Sequence, residues 1–93
     1  MPTMTMQRPM TLLEIVQETV FQSPDGVKGI AEFLGKAPST LYSEINPNDA
    51  DGRTHKLGLL DWVRVLKLTG DGRSLAKVCQ DLGHVAVPLP TGE

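Results

Sequence analysis

Residues 28–46 read KGIAEFLGKAPSTLYSEIN and indicate two short helices with a tight turn between them. The apolar side chains from Val27 to Leu34 follow the i, i+3, i+4, i+7 spacing of one buried helix face. Gly35 suits the left-handed backbone that ends a helix, and Pro38 suits the first turn of the next helix. The stretch therefore predicts a helical hairpin at the centre of the chain.

The spacing of small and apolar residues indicates how the two helices meet. Ala31 allows a close approach, Gly35 follows four positions later, and Leu41 comes six positions after the glycine. Leu41 and Ile45 are predicted to face the first helix together. This is the pattern of a helix-turn-helix, whose second helix stands far enough from the domain to enter a DNA major groove about 12 Å wide.

Beyond this hairpin, the chain predicts an all-α fold of five short helices with the helix-turn-helix at the centre. Thr11 and Glu14 form a capping box that opens the first helix, while Asp71 is placed to cap the fifth and Gly83 to end it. The first four helices are predicted at 11–22, 27–34, 38–46 and 57–69, the last being the longest. The predicted organisation is a flexible N-terminal arm over 1–10, a helical domain over 11–83 and a C-terminal tail over 84–93.

The last two helices carry abundant apolar residues. In the fourth, one predicted stripe consists of Leu59, Trp62, Val63 and Leu66. The remaining apolar side chains of that helix are either a dimer surface or a second enclosed side, and they are Leu60, Val65 and Leu68. In the fifth, the predicted buried stripe consists of Leu75, Val78, Cys79 and Leu82.

Charge and composition restrict the function classes only weakly. A chain of 93 residues is one small domain with a modest core. Its net charge is −2, but the stretch 26–77 holds eight Lys/Arg and six Asp/Glu, so the middle is its most basic part. The single cysteine excludes an internal disulfide, and neither a signal peptide nor a membrane-spanning run is present. The prediction is a cytoplasmic protein without a membrane partner.

Motifs for metals, cofactors or catalysis fail on spacing. Cys79, His55 and His84 lack the paired spacing of a zinc site. NDADG would put Pro47 and Gly58 at the first and last ligand positions of a calcium loop, and GDGRS lacks the lysine of a phosphate-binding loop. The sequence predicts no metal, no cofactor, no small-molecule ligand and no enzyme activity.

The central stretch also carries a family resemblance. IAEFLGKAPSTLYSEIN resembles the helix-turn-helix of bacterial and phage repressors of the lambda-repressor-like class. The longer pattern GVKGIAEFLGKAPSTLYSEINPN…THKLGLLDWVRVLKLTGD is similar to phage regulatory proteins of the CII type, over roughly residues 24–83. That resemblance implies a DNA-binding transcriptional regulator of phage or prophage origin that acts in establishing lysogeny. Lys36 and Glu44 depart from the repressor pattern, which usually places apolar residues there.

The resemblance and the predicted inward face together give a set of candidate DNA contacts. The predicted recognition helix, 38–46, would enter the major groove of double-stranded operator DNA and contribute Pro38, Ser39, Thr40, Tyr42, Ser43 and Asn46. The candidate phosphate contacts are Lys28, Lys36, Arg53 and Lys56. Few of these residues could make a bidentate contact with guanine, so a homodimer or higher homo-oligomer is expected to supply the affinity.

Three alternatives stay open at the level of sequence. Tyr42 is also compatible with a position over the edge of the core, and Arg53, His55 and Lys56 with an ordinary solvated loop. The whole hairpin is compatible with a protein–protein interaction module that does not bind DNA, which the modest charge balance and Glu44 keep in contention.

Overall fold

The computed structural model describes residues 9–48 and 55–90 of the chain. Within them the fold is all-helical, without a strand, which confirms the predicted class. The helices are α1 (Leu12–Gln22), α2 (Gly26–Leu34), α3 (Pro38–Glu44), α4 (Leu59–Thr69) and α5 (Arg73–Asp81). Most of the predicted N-terminal arm lies outside the described residues, as do residues 49–54 and the last three residues of the predicted tail.

The first helix begins as its capping box predicts. Thr11 Oγ1 accepts a hydrogen bond from the Glu14 amide at 3.2 Å, and Glu14 Oε1 accepts one from the Thr11 amide at 2.8 Å. The reciprocal pair satisfies two amide donors that have no partner inside the helix.

The turn between α2 and α3 depends on the backbone of Gly35. Its φ is +77°, and the amides of Gly35 and Lys36 donate to the carbonyls of Glu32 and Ala31 at 3.1 and 3.0 Å. A Cβ added at Gly35 would meet no atom within 4 Å, so the requirement for glycine is conformational rather than steric. Ala37 is already extended and serves as the N-cap of α3. The corner between the helices therefore occupies only three residues.

The core is formed mainly by the hairpin and α1. The fully or nearly fully buried apolar side chains are Val16, Val20, Ile30, Ala31, Leu34, Leu41, Ile45 and Val65. Five of these eight lie on α2, on α3 or at the C-cap of α3, and those five include the predicted Ala31, Leu41 and Ile45. The central stretch of sequence therefore supplies most of what holds the domain together.

Three predictions about the helices are wrong in detail. Helix α3 ends at Glu44 with Ile45 as its C-cap, so Asn46 lies beyond it. Helix α4 begins at Leu59 and is 11 residues long, as is α1, so it is not the longest helix. The buried residue of α4 is Val65, which sits outside the predicted stripe, while Leu59 remains 69% exposed.

The predicted inner face of α5 is wrong at its two ends. Its fully buried residue is Ser74, whereas Leu75 and Leu82 are 41% and 70% exposed. The Ser74 hydroxyl accepts a hydrogen bond from the indole Nε1 of Trp62 at 2.9 Å, which satisfies the partly buried indole N–H. Val78, one helical turn after Ser74, remains partly buried. The buried side of α5 is therefore rotated from the predicted stripe, and two leucines are left in solvent.

A polar cluster joins α1 to the start of α5. The Arg73 guanidinium pairs with Glu18 and with Asp71, the latter at 2.8 Å, and also donates to Gln22 at 3.1 Å. Thr19, which is buried, donates its hydroxyl hydrogen to Asp71 Oδ2 at 3.3 Å. The hydrogen bonds from Arg73, which outweigh the opposing effect of burial, lower the pKa of Asp71 to about 2.

A second charged cluster connects the turn, α3 and α4. Lys36 Nζ lies 2.6 Å from Glu44 Oε1 and 2.7 Å from Asp61 Oδ2, and all three side chains are at most one-quarter exposed. Burial opposes the charged form of Lys36, but the bonds to Asp61 and Glu44 outweigh it and raise the pKa of the lysine above its ordinary value. The two residues that depart from the repressor pattern thus satisfy each other.

We expect Lys36→Leu to lower the free energy of unfolding by about 1–3 kcal/mol, because it leaves the largely buried carboxylate of Glu44 without its cation and takes one of two cations from Asp61. The double variant Lys36→Leu/Glu44→Leu should recover to within about 1 kcal/mol of the natural chain, since it removes the Glu44 carboxylate while Asp61 keeps Arg64 at 3.7 Å. Urea unfolding measures both. Lys28→Leu, at an exposed lysine of α2, is the matched control. A double variant as unstable as the sum of its single variants would contradict the compensation.

We expect Asp71→Asn to lower the melting temperature at neutral pH. The folded pKa of Asp71 is depressed from 3.8 to about 2, so its stabilising contribution is present above about 3.8 and disappears as the pH falls through about 2. The difference in melting temperature between the natural chain and Asp71→Asn should therefore shrink across that interval. Asp81→Asn, on an exposed carboxylate paired with Lys77, is the control. A constant difference from pH 7 to pH 2 would contradict this role.

Candidate nucleic-acid interface

Helix α3 has one buried side and one side open to solvent. Leu41, and Ile45 at its end, are 0% exposed and pack into the core. Pro38, Ser39 and Thr40 are exposed at the start of the helix. Leu41 and Ile45 lie one helical turn apart and define the inner face, so Ser39 and Thr40, which come just before Leu41, lie off that face. The structure therefore leaves the beginning of α3 accessible, as the predicted contact set requires.

Tyr42 lies on the accessible side but is not isolated. It is 49% exposed, and its ring stacks on that of Phe21 with centroids 6.1 Å apart and an interplanar angle of 25°. Phe21 is near the end of α1 and is itself 48% exposed. Tyr42 is therefore compatible with both alternatives, a DNA contact and a position at the edge of the core, because its ring packs against Phe21 while about half of it is exposed to solvent. The stack fixes the direction of the ring relative to α1.

Ser43 and Asn46 are less accessible than the first half of α3. Both are partly buried, and Asn46 follows the helix rather than belonging to it. The Asn46 Oδ1 atom accepts a hydrogen bond from the Asn48 amide at 2.9 Å, and the Asn46 carbonyl accepts one from Lys56 Nζ at 2.9 Å. The side-chain oxygen of Asn46 already accepts a hydrogen bond within the turn, which disfavours the two-bond contact that an Asn carboxamide can make with adenine.

The Lys and Arg residues predicted to contact phosphates differ in their exposure and in their partners. Lys28 on α2 and Lys56 before α4 are exposed, and Lys56 is tied to the end of α3 through Asn46. Lys36 is held by two carboxylates, so a phosphate would have to displace an ion pair to reach it. Arg53 lies outside the described residues. Lys56 is therefore the predicted cation that a hydrogen bond places beside the end of α3.

Sequence reasoning missed the residues that support α3 from behind. Asp61 binds Lys36, and Arg64 lies 5.3 Å from the centroid of the Phe33 ring while donating to the Phe33 carbonyl at 3.2 Å. Asp61 and Arg64 are three positions apart on α4, a spacing that signals an intrahelical pair but says nothing about α2. No pattern in the sequence indicates that Phe21 reaches Tyr42.

Other kinds of site find no support in the described parts of the chain. Residues 9–48 and 55–90 contain no group of three or more His, Cys, Asp or Glu placed to hold a metal ion. Across the same residues, every helix is too short or too polar to span a bilayer.

Comparisons with known proteins give one finding. A family model described as phage regulatory protein CII (CP76) matches residues 10–93. No curated protein and no solved structure matches the chain. The match includes all five helices and the predicted tail, and it agrees with the resemblance seen in the stretch from Gly26 to Asp71. The chain therefore belongs to the phage regulatory protein CII family.

Proposed function

We propose that the protein is a sequence-specific DNA-binding transcriptional regulator of a phage or prophage, with α3 as the recognition helix. The observation that carries the proposal is the geometry of α2, the three-residue turn and α3. Gly35 turns the chain sharply, Leu41 and Ile45 anchor α3, and hydroxyl-bearing side chains remain at its outer side. Membership of a phage regulatory family supports the same function.

The proposed base contacts come from the first half of α3. Ser39 and Thr40 have short hydroxyls that can donate to or accept from base edges and phosphates, and Tyr42 offers a half-exposed ring and a hydroxyl. We place Pro38 at the same surface and Ser43 at its border. Asn46 is kept only through the N–H groups of its carboxamide, because its carboxamide oxygen accepts from Asn48 and its carbonyl from Lys56.

The proposed phosphate contacts are few. Lys28 and Lys56 are exposed near the hairpin, and Arg53 joins them by sequence position. We leave Lys36 out of the set, because its charge is already neutralised by Glu44 and Asp61. With no Lys or Arg on α3 itself, one subunit has little to hold a duplex. Two subunits on half-sites one or more helical turns apart, ~34 Å each, would double the contacts.

We further propose that this regulator acts in the cytoplasm and controls lysogeny. The competing candidate is an interaction module that binds a protein through the same helices. Several large apolar side chains are exposed, which favours some protein contact. The dependence of binding affinity on salt concentration distinguishes the two functions, because only binding to a polyanion such as DNA releases condensed counterions.

We expect Ser39→Ala/Tyr42→Ala/Ser43→Ala to abolish preference for the operator while leaving the helical content unchanged. These side chains carry the proposed sequence readout and none is part of the apolar core. Selection of binding sites from random duplexes, followed by circular dichroism of the variant, measures both properties.

Tyr42→Phe is the matched control for the stack on Phe21, since it keeps the ring and removes only the hydroxyl. A triple variant that still selects the sites of the natural chain would refute α3 as the reading surface.

We expect binding to duplex DNA to weaken steeply with salt and Lys28→Ala to weaken all sequences alike. Each lost phosphate contact should flatten the plot of log affinity against log salt by about 0.9, hence by about 2 for a dimer. Fluorescence anisotropy across a salt series measures the slope. Lys77→Ala, on α5 against α1, removes the same charge as a control. A salt-independent association would favour the interaction module instead.

A further inference from the structure

The apolar side of α5 is only partly covered. Leu75 and Leu82 are 41% and 70% exposed, and Val78 between them is partly buried, while Ser74 occupies the fully buried position. These three apolar residues share one face of the helix. Large apolar side chains that a helix leaves in solvent are typical of a surface that binds a partner.

A groove continues this face across the domain. It has a volume of about 550 Å³ and lies between the start of α1, the residues around the start of α4, and α5. Its walls include Leu12, Leu13, Leu59, Trp62 and Val78. The volume falls in the ~300–1,000 Å³ range of sites that enclose a compact apolar group. We call it the apolar groove.

The segment that follows α5 is the second uncovered apolar element. Val85, Val87 and Leu89 are 83%, 77% and 86% exposed, and Pro88 and Pro90 exclude a helix. Alternate residues of an extended chain share one side, so the three apolar side chains form a row about 13 Å long. No residue of this tail segment, 84–90, lines the apolar groove of its own chain.

We propose that two copies of the chain form a symmetric homodimer in which the tail segment of each copy lies in the apolar groove of the other. The tail leaves the end of α5, whose exposed face leads into the groove at Val78. In a dimer whose two-fold axis lies beside α5, the same contact would bury both grooves, both exposed α5 faces and both tail segments.

Polarity favours the same occupant. The residues that line the groove are apolar except for Lys56, and the tail segment carries no Asp, Glu, Lys or Arg. The inference rests on the proposed function only in one respect, namely the reason why the protein needs two copies. Self-association itself is measured without DNA.

The first test disables the tail. Sedimentation equilibrium of the full chain should show a dimer, and Val87→Asp should weaken it about tenfold or more, since the carboxylate cannot be buried without a partner. Ala86→Asp is the matched control, because it adds the same charge to the opposite side of an extended segment. A natural chain that stays monomeric, or equal dimerisation of the two variants and the natural chain, would overturn the proposal.

The second test disables the groove. Leu59→Asp should weaken the dimer to a similar degree, whereas Leu60→Asp should leave it unchanged, because Leu60 adjoins Leu59 without lining the groove. Both leucines are more than two-thirds exposed, so neither substitution removes a core contact, and circular dichroism verifies the fold. Equal effects at the two leucines would overturn the assignment of the groove.

The third test asks whether the exchange occurs between chains. Mixing Val87→Asp with Leu59→Asp should restore a mixed dimer, because the intact tail of one variant meets the intact groove of the other. Docking of each tail in its own groove predicts no rescue, and that result would overturn the exchange. A persistent dimer without any DNA preference would refute the regulator and leave this inference standing.

Discussion

The left-handed backbone at Gly35 is the constraint on which the rest of the structure depends. It ends α2 and turns the chain within three residues, so that Leu41 and Ile45 reach the core beside Ile30 and Ala31. A side chain at Gly35 would find space but would strain the backbone. Because the core has only eight buried apolar residues, losing this one turn would separate most of it.

Charged residues position α3 at two places where the repressor pattern usually has apolar residues. Lys36 pairs with Glu44 of α3 and with Asp61 of α4, and so attaches α3 to α4 without enlarging the core. Arg64 holds the end of α2 from the same side of α4, through the ring and carbonyl of Phe33. The recognition helix of the proposed regulator is thus positioned by ion pairs behind it as well as by leucine and isoleucine beneath it.

The hairpin was predictable and the last two helices were less so, for a physical reason. Around Gly35 the apolar spacing, the glycine and the proline all indicate one structure, so the central stretch and the capping box at Thr11 are as expected. Helices α4 and α5 carry more apolar residues than the domain can cover, and periodicity does not say which side is inward. The residues that face inward are Val65 in α4 and Ser74, which is bonded to Trp62, in α5. At the candidate site, the exposure of Ser39 was predictable from the inward position of Leu41. The Phe21–Tyr42 stack and the ion pairs of Lys36 were not, because they join residues that are distant in the sequence or on different helices.

The position of Trp62 has a further consequence. It is the only tryptophan of the chain, it forms part of the wall of the apolar groove, and its indole N–H is bonded to Ser74. Since indole emission shifts with the polarity around the ring, the fluorescence spectrum of the unlabelled protein reports on this one place. The molecule therefore contains its own optical probe of whatever enters the groove.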